Sequence, residues 1–224
     1  MTVQAADEAL VRWRTAVEDA LRSPADVMAW QDRRYQFAYQ VGQLLTSAVD
    51  PANRQVAGHV LYGVTIAGAG LVYIGQSADA RRRLRDLPVG ESHHLATTVP
   101  PEAWTRVLVV EWPTLLSKIP AAEARTIDGL GHDTCGLALE HRLQLAYRPV
   151  LSARRRGNLG QWKTRNLDDS RSRGALAADQ LPMLFLAVTR AWQVLANMRL
   201  PSVGPPVSCT DNGRVLFPHS LLEG

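Results

Sequence analysis

The chain has 224 residues, 46% of them hydrophobic and 21% charged, with a formal net charge of +4, a size and composition suited to one substantial globular domain or a compact module with extensions. No apolar run reaches membrane-spanning length, and the start MTVQAADEALVRWR lacks a basic stretch followed by an apolar core, so the expectation is a cytoplasmic protein with no membrane segment. Cys135 and Cys209 are far apart and outside zinc-ligand spacing, which argues against a disulfide framework and a structural zinc, and no glycine-rich phosphate loop calls for a nucleotide cofactor.

Leu10, Trp13, Val17 and Leu21 recur at helical spacing, Ser23-Pro24 breaks the run, and Trp30, Phe37, Val41 and Leu44 mark a second helix ending near Asp50-Pro51. The reading is an antiparallel helical pair, residues 1–56, packed on the module that follows. From Val60 to Ile66 the residues are largely β-branched or aromatic, Ala67 to Gly70 is turn-like, and Leu71 to Ile74 returns to strand composition. With that loop, Ile66 faces Leu71, Val64 faces Tyr73, and Tyr62 lies two residues along the same side. Both phenols then project from one face as diagonal neighbours at roughly 7–8 Å; a loop one residue longer or shorter sends them to opposite faces.

After Gly75 the period becomes helical, with Ser77 or Asp79 as candidate cap and Ala80, Arg83, Leu84 and Leu87 on one stripe. Arg83 falls on the side facing the sheet, where its fork needs a carboxylate or phosphate, whereas Arg81, Arg82 and Arg85 can point to solvent or DNA. Thr105 to Trp112 is the best downstream strand signal. Asp133 and Thr134 then offer a cap for a helix to Tyr147 that places Gly136, Glu140, Leu143 and Tyr147 on one face. Glu111 and Glu123 read as surface glutamates.

Charge is uneven along the chain. Arg148 to Arg173 holds eight basic residues against Asp168 and Asp169, while residues 1–50 carry five Arg against seven Asp and Glu. The basic loop, with Arg154, Arg155, Arg156, Trp162, Lys163 and Arg165, suits phosphate contacts with a tryptophan available to stack. Pro182 opens a last helix through Leu184, Val188, Trp192 and Leu195, and the tail from Pro201 reads as loop with a turn at Asp211-Asn212-Gly213 and room for one short strand.

VLY (Val60, Leu61, Tyr62), YIG (Tyr73, Ile74, Gly75), the run QSADARRRL carrying Arg83, and Glu140 followed by HRLQLAYRP together resemble the GIY-YIG nuclease superfamily. YIG matches outright, and the first tripeptide keeps only its tyrosine. The resemblance implies an α+β fold with a small antiparallel three-stranded sheet flanked by helices over residues 57–158. The helical pair would precede it, and residues 159–224 would form a basic loop and C-terminal helical extension.

By the same resemblance Tyr62 takes a proton from water as a phenolate whose pKa nearby cations lower, and Tyr73 orients the water or a phosphate oxygen. Arg83 grips the scissile phosphate, and Glu140 anchors one divalent cation, Mg²⁺ or Mn²⁺. The chain departs from the family where many members have histidine one turn after the arginine, here Leu87, and asparagine after the glutamate, here Ser152. His93, His94 and Asn158 are the nearby substitutes. The resulting expectation is a divalent-metal-dependent DNA endonuclease, defence or restriction-like, or acting in DNA repair. The alternative is a catalytically decayed nucleic-acid-binding protein of the same fold. The flanking helices could equally dimerise the protein or embrace DNA.

Overall fold

The alternation around the Gly68–Gly70 turn builds the hairpin that the sequence predicts. The structure, a computed structural model, describes residues 3–48, 54–90, 95–152, 154–156 and 161–222. In chain order the elements are α1 (Val3–Ala20), α2 (Pro24–Thr46), β1 (Val60–Ile66), β2 (Gly70–Ser77), α3 (Ala80–Val89), the one-turn α4 (Leu95–Thr98), β3 (Trp104–Val110), α5 (Ala121–Leu130) and α6 (His132–Tyr147). There follow β4 (Arg154–Arg156), β5 (Trp162–Thr164), the short α7 (Arg173–Ala177), α8 (Pro182–Asn197), β6 (Val207–Thr210) and β7 (Gly213–Leu216). Among the described residues no helix is long and apolar enough to cross a membrane.

β1 and β2 pair antiparallel, with Val64 opposite Tyr73 and Tyr62 opposite Gly75. Gly68 and Gly70 turn the chain at φ values of 75° and 68°, a region that side chains other than glycine rarely adopt. An irregularity between Val64 and Thr65 puts Ile66 opposite Gly70 and Thr65 opposite Leu71, so the expected Ile66–Leu71 pair is displaced by one place. The turn is one residue shorter than expected, and Val72, left without a partner at the irregularity, offsets it, so the Val64–Tyr73 register and the tyrosines' shared face survive.

The fold is α+β, and its antiparallel sheet has five strands, in the order β2-β1-β3-β7-β6, rather than three. The two additional strands come from the tail read as loop. The Asp211-Asn212-Gly213 turn is there, with a strand on each side. At Gly213 φ is 157°, and a Cβ would lie 2.1 Å from the Val109 carbonyl oxygen, so glycine is what lets β7 lie against β3. The basic segment is likewise not all loop: β4 and β5 form a two-stranded ribbon, Arg155 opposite Lys163.

Each face of the main sheet buries its own core. On one side Phe37, Val41 and Leu45 of α2 and Leu84 and Leu87 of α3 pack with Val60, Val64, Tyr62 and Tyr73. On the other Ile127 of α5, Leu139 and Leu143 of α6, and Leu184, Val188, Trp192 and Leu195 of α8 pack with Leu61, Ile74, Leu108 and Val110. Gly63 permits that second contact, since a Cβ there would meet the Trp192 ring at 2.6 Å. Ser23 caps α2 by accepting from the Asp26 N–H, with Pro24 in the first turn. α2 packs on the sheet as expected, but α1 leaves Leu10 and Trp13 largely exposed.

Both glutamates expected at the surface are buried instead. The Glu123 carboxylate accepts from the backbone N–H groups of Met183 (3.0 Å) and Leu184 (2.8 Å), supplying the cap that Leu181 lacks at the start of α8. Glu111 lies 3.7 Å from Arg54 and close to Arg214. Arg214 is itself buried and donates to the carbonyls of Leu44, Ser47 and Arg54, which fastens β7 to the end of α2.

Candidate active site

Tyr62 from β1 and Tyr73 from β2 stand side by side on the α3 face of the sheet, ring centroids 6.0 Å apart and planes inclined by 32°. Their hydroxyls are hydrogen-bonded to each other. Gly75 makes this arrangement possible. It lies opposite Tyr62 across the ladder, and a Cβ there would sit 2.6 Å from the Tyr62 hydroxyl and 2.8 Å from the Tyr73 ring. The glycine of YIG is thus the floor on which the first phenol rests.

α3 is capped by Asp79, whose carboxylate accepts from the Arg82 N–H, and this sets the phase that turns Arg83 inward. Arg83 is half-buried and acts electrostatically on both phenols and on Glu140. Glu140 approaches from α6. One turn further on, Gln144 donates to Glu140 Oε1 and to the Ile74 carbonyl, each at 3.1 Å, so it ties the carboxylate to β2. Four side chains from β1, β2, α3 and α6 thus lie close enough to act on one another.

The electrostatics differ from that reading in one respect. Burial pushes the Tyr62 phenol up to about 12, and the opposing pull of Arg83 is weaker than the desolvation. Tyr73 is also pushed up, by burial and then by Tyr62 and Glu140. With relative exposures of 1% and 9%, Tyr62 and Tyr73 are neutral phenols at neutral pH, and Tyr62 is not the ready phenolate that the resemblance implies. The Glu140 carboxyl is pushed up to about 7 by burial, against the attraction of Arg165 and Arg83.

Among the described residues no group of three or more His, Cys, Asp and Glu side chains comes together to hold a metal ion. Among the described residues the cluster offers one carboxylate, Glu140, held in place by Gln144 and faced by two guanidinium groups. One hard oxygen ligand beside two positive charges is by itself a weak cation site, and Mg²⁺ or Mn²⁺ would need phosphate oxygens and water to complete the shell and to offset the guanidinium charges.

The remaining residues singled out in the sequence fall into three groups. Arg81 and Arg82 are exposed on α3, Arg82 lying 3.8 Å from Asp79. Arg85, expected to point to solvent or DNA, turns back to α2 and donates to Thr46 Oγ1 and Gln43 Oε1, both at 3.2 Å. Arg154, Arg155 and Arg156 form β4 and Trp162 and Lys163 lie on β5, with Lys163 exposed and Arg165 half-buried just beyond it, close enough to act on Glu140. The Arg148–Asp168 ion pair, at 2.7 Å, ties the segment after the ribbon to the end of α6.

Leu87 is fully buried core, so an apolar contact replaces a histidine at that position. Ser152 is buried too. Its hydroxyl accepts from the Ile74 N–H at 2.9 Å and donates to the Ile74 carbonyl at 3.0 Å, while the Leu151 N–H donates to the Val72 carbonyl at 2.9 Å. His93, His94 and Asn158 lie outside the described residues. Sequence reasoning passed over Gln144, although its place one helical turn after Glu140 is a usable signal. Comparison with protein-family models, with curated proteins and with solved structures finds no match to this chain.

Proposed function

We propose that this chain is a divalent-cation-dependent DNA endonuclease of GIY-YIG type. The observation that supports the reading is the convergence of Tyr62, Tyr73, Arg83 and Glu140, from four separate elements, on one cluster beside a basic ribbon. Hydrolysis of a phosphodiester needs water placed in line with the leaving oxygen and positive charge on the equatorial oxygens. Arg83 supplies a fork for two phosphate oxygens. Tyr73, the more exposed phenol, orients the water, and Tyr62, once ionised by added positive charge, takes the water's proton as the water oxygen bonds to phosphorus and the bond to the leaving oxygen breaks. A cation at Glu140 would add positive charge at the leaving oxygen and favour the ionised forms of Glu140 and Tyr62. Arg81, Arg82, Arg154, Arg155, Arg156, Lys163 and Arg165 would hold the flanking phosphates, with Trp162 against a base or sugar. Defence against foreign DNA and DNA repair are both roles such an endonuclease would serve.

The test is plasmid cleavage with Mg²⁺ or Mn²⁺ by the protein, Arg83→Ala and Glu140→Ala. Each substitution should lower the rate about 100-fold or more; equal cleavage by all three rules the mechanism out. The depth of the two phenols favours a second reading, a nucleic-acid-binding protein that kept the fold and lost the chemistry. Its signature is binding that weakens steeply with salt, without cleavage of single-stranded, duplex, branched or modified DNA.

A further inference from the structure

α8 is apolar on two sides, and the fold uses one of them. Leu184, Val188, Trp192 and Leu195 are buried in the core beneath the helix. Met183, Leu186, Arg190 and Val194 recur at i, i+3, i+7 and i+11, which puts them on a single stripe along its outer side. Met183, Leu186 and Val194 are 44%, 40% and 53% exposed, and Arg190 is the one charged residue of the helix. A helix apolar on both sides is ordinarily covered on both.

The stripe lines a groove of about 320 Å³. Leu115 and Lys118, from the segment Trp112–Lys118 after β3, and Asn212, from the β6–β7 turn, complete it. The charged and amide groups of this lining are all donors. Lys118 and Arg190 make no ion pair among the described residues, and no carboxylate lines the groove. Asn212 Oδ1 already accepts from the Thr114 hydroxyl at 3.0 Å, which leaves its amide N–H groups as what it offers. An occupant must therefore bring apolar bulk for the stripe and negative acceptors for the two cations. Nucleic acid meets the second need and not the first. An amphipathic helix with Asp or Glu bordering its apolar stripe meets both, since its side chains at i, i+3, i+4 and i+7 enter a groove of this kind.

We propose that the α8 groove is a docking site for an acidic amphipathic helix of a partner protein. The assignment goes beyond the nuclease reading and does not depend on it. α8 packs on the face of the sheet opposite α3 and the two phenols, so a docked partner leaves the α3 face open.

The test is fluorescence anisotropy of two labelled helical peptides of about 14 residues against the full chain, with no DNA present, so that its outcome is separate from any result on cleavage. Both peptides carry leucine at the i, i+3, i+4 and i+7 positions; one has glutamate beside the leucines and the other lysine. The glutamate peptide should bind about 10-fold or more tightly than the lysine peptide, with a difference that shrinks as salt is raised. Lys118→Glu with Arg190→Glu should reverse the preference. Leu186→Glu with Val194→Glu should weaken the glutamate peptide about 30-fold or more. All four side chains are exposed, so the unfolding temperature should stay unchanged in both variants. Met28→Glu with Tyr39→Glu places the same charges on α2 and should leave binding intact. Equal binding of the two peptides, a preference that survives the charge reversal, or no binding of either at millimolar protein overturns the proposal. Decanoate, or vesicles of anionic lipid, engaging these four residues when neither peptide does would make the groove a lipid site and overturns it as well.

Discussion

Replacing Glu140 by glutamine should stabilise the protein at pH 8 and leave its stability at pH 4 nearly unchanged. Burial raises the carboxyl from its ordinary 4.5 to about 7. The folded chain therefore holds this proton up to about pH 7, whereas the unfolded chain releases it near 4.5. Stability from this group is fully present below the lower value, falls as pH rises between the two, and is gone above the upper one. At about 1.36 kcal/mol per pKa unit the full shift corresponds to roughly 3 kcal/mol. Partial solvent access and the partner lost by Arg83 and Arg165 reduce this to about 1–2 kcal/mol of gain for the neutral amide. Glutamine keeps an oxygen able to accept from Gln144, so the hydrogen bond to β2 is not at stake. Thermal unfolding of both proteins at pH 4 and pH 8 reads the effect, about 2–8 °C at pH 8 for a chain of this length. Taking the difference between the two proteins cancels the other titrating groups. A Glu140→Gln protein less stable than wild type at pH 8 would mean that the carboxylate is ionised and paired in the folded state, and the reasoning fails.

Under the proposed mechanism the same carboxyl should set the pH dependence of cleavage. A cation competes with the Glu140 proton, so kcat/KM at low metal should rise with pH and level off above about 7, a limb that should disappear in Glu140→Gln. Gly75→Ala should destabilise the fold by about 1–3 kcal/mol and separate the phenols, because the added methyl meets Tyr62 at 2.6 Å; denaturant unfolding and tyrosine absorbance follow the two effects. Ser152→Ala should cost about 1–3 kcal/mol in denaturant unfolding by leaving the Ile74 N–H unpaired, with the affinity for divalent cation unchanged.

The tyrosine pair was legible because alternation and a glycine turn determine which way strand residues face, and the unpaired Val72 cancels the shift at the turn before the tyrosines are reached. Helical period placed Arg83 and Glu140 on inward stripes, and the resemblance, through the two tyrosines upstream and the HRLQLAYRP that follows Glu140, singled them out. Less could be read where the partner lies far off in the chain. Nothing in the local pattern around Glu123 announces that its ligands are the N–H groups of residues 183 and 184, and nothing around Arg85 announces Gln43 and Thr46. β6 and β7 are four residues each in a tail with several prolines and glycines, too short for periodicity to register. The run of arginines at 154–156 reads as charge, and its pairing with residues 162–164 supplies the strand character. The electrostatic misreading of Tyr62 has a related origin: sequence shows the cation Arg83 but not how completely two packed faces exclude water from the phenol.

Tyr73 sits on β2, an outermost strand of the sheet, and such strands invite other chains to add on. Here the outward N–H and carbonyl of Ile74 and the carbonyl of Val72 are already taken by Ser152, Gln144 and Leu151. That border is sealed against intermolecular strand pairing, and the opposite border at β6 has only four residues to offer. Fibrillar association from the native state should therefore be slow. A change that frees the Val72–Ile74 border, Ser152→Ala foremost, should hasten it without altering the phenols themselves.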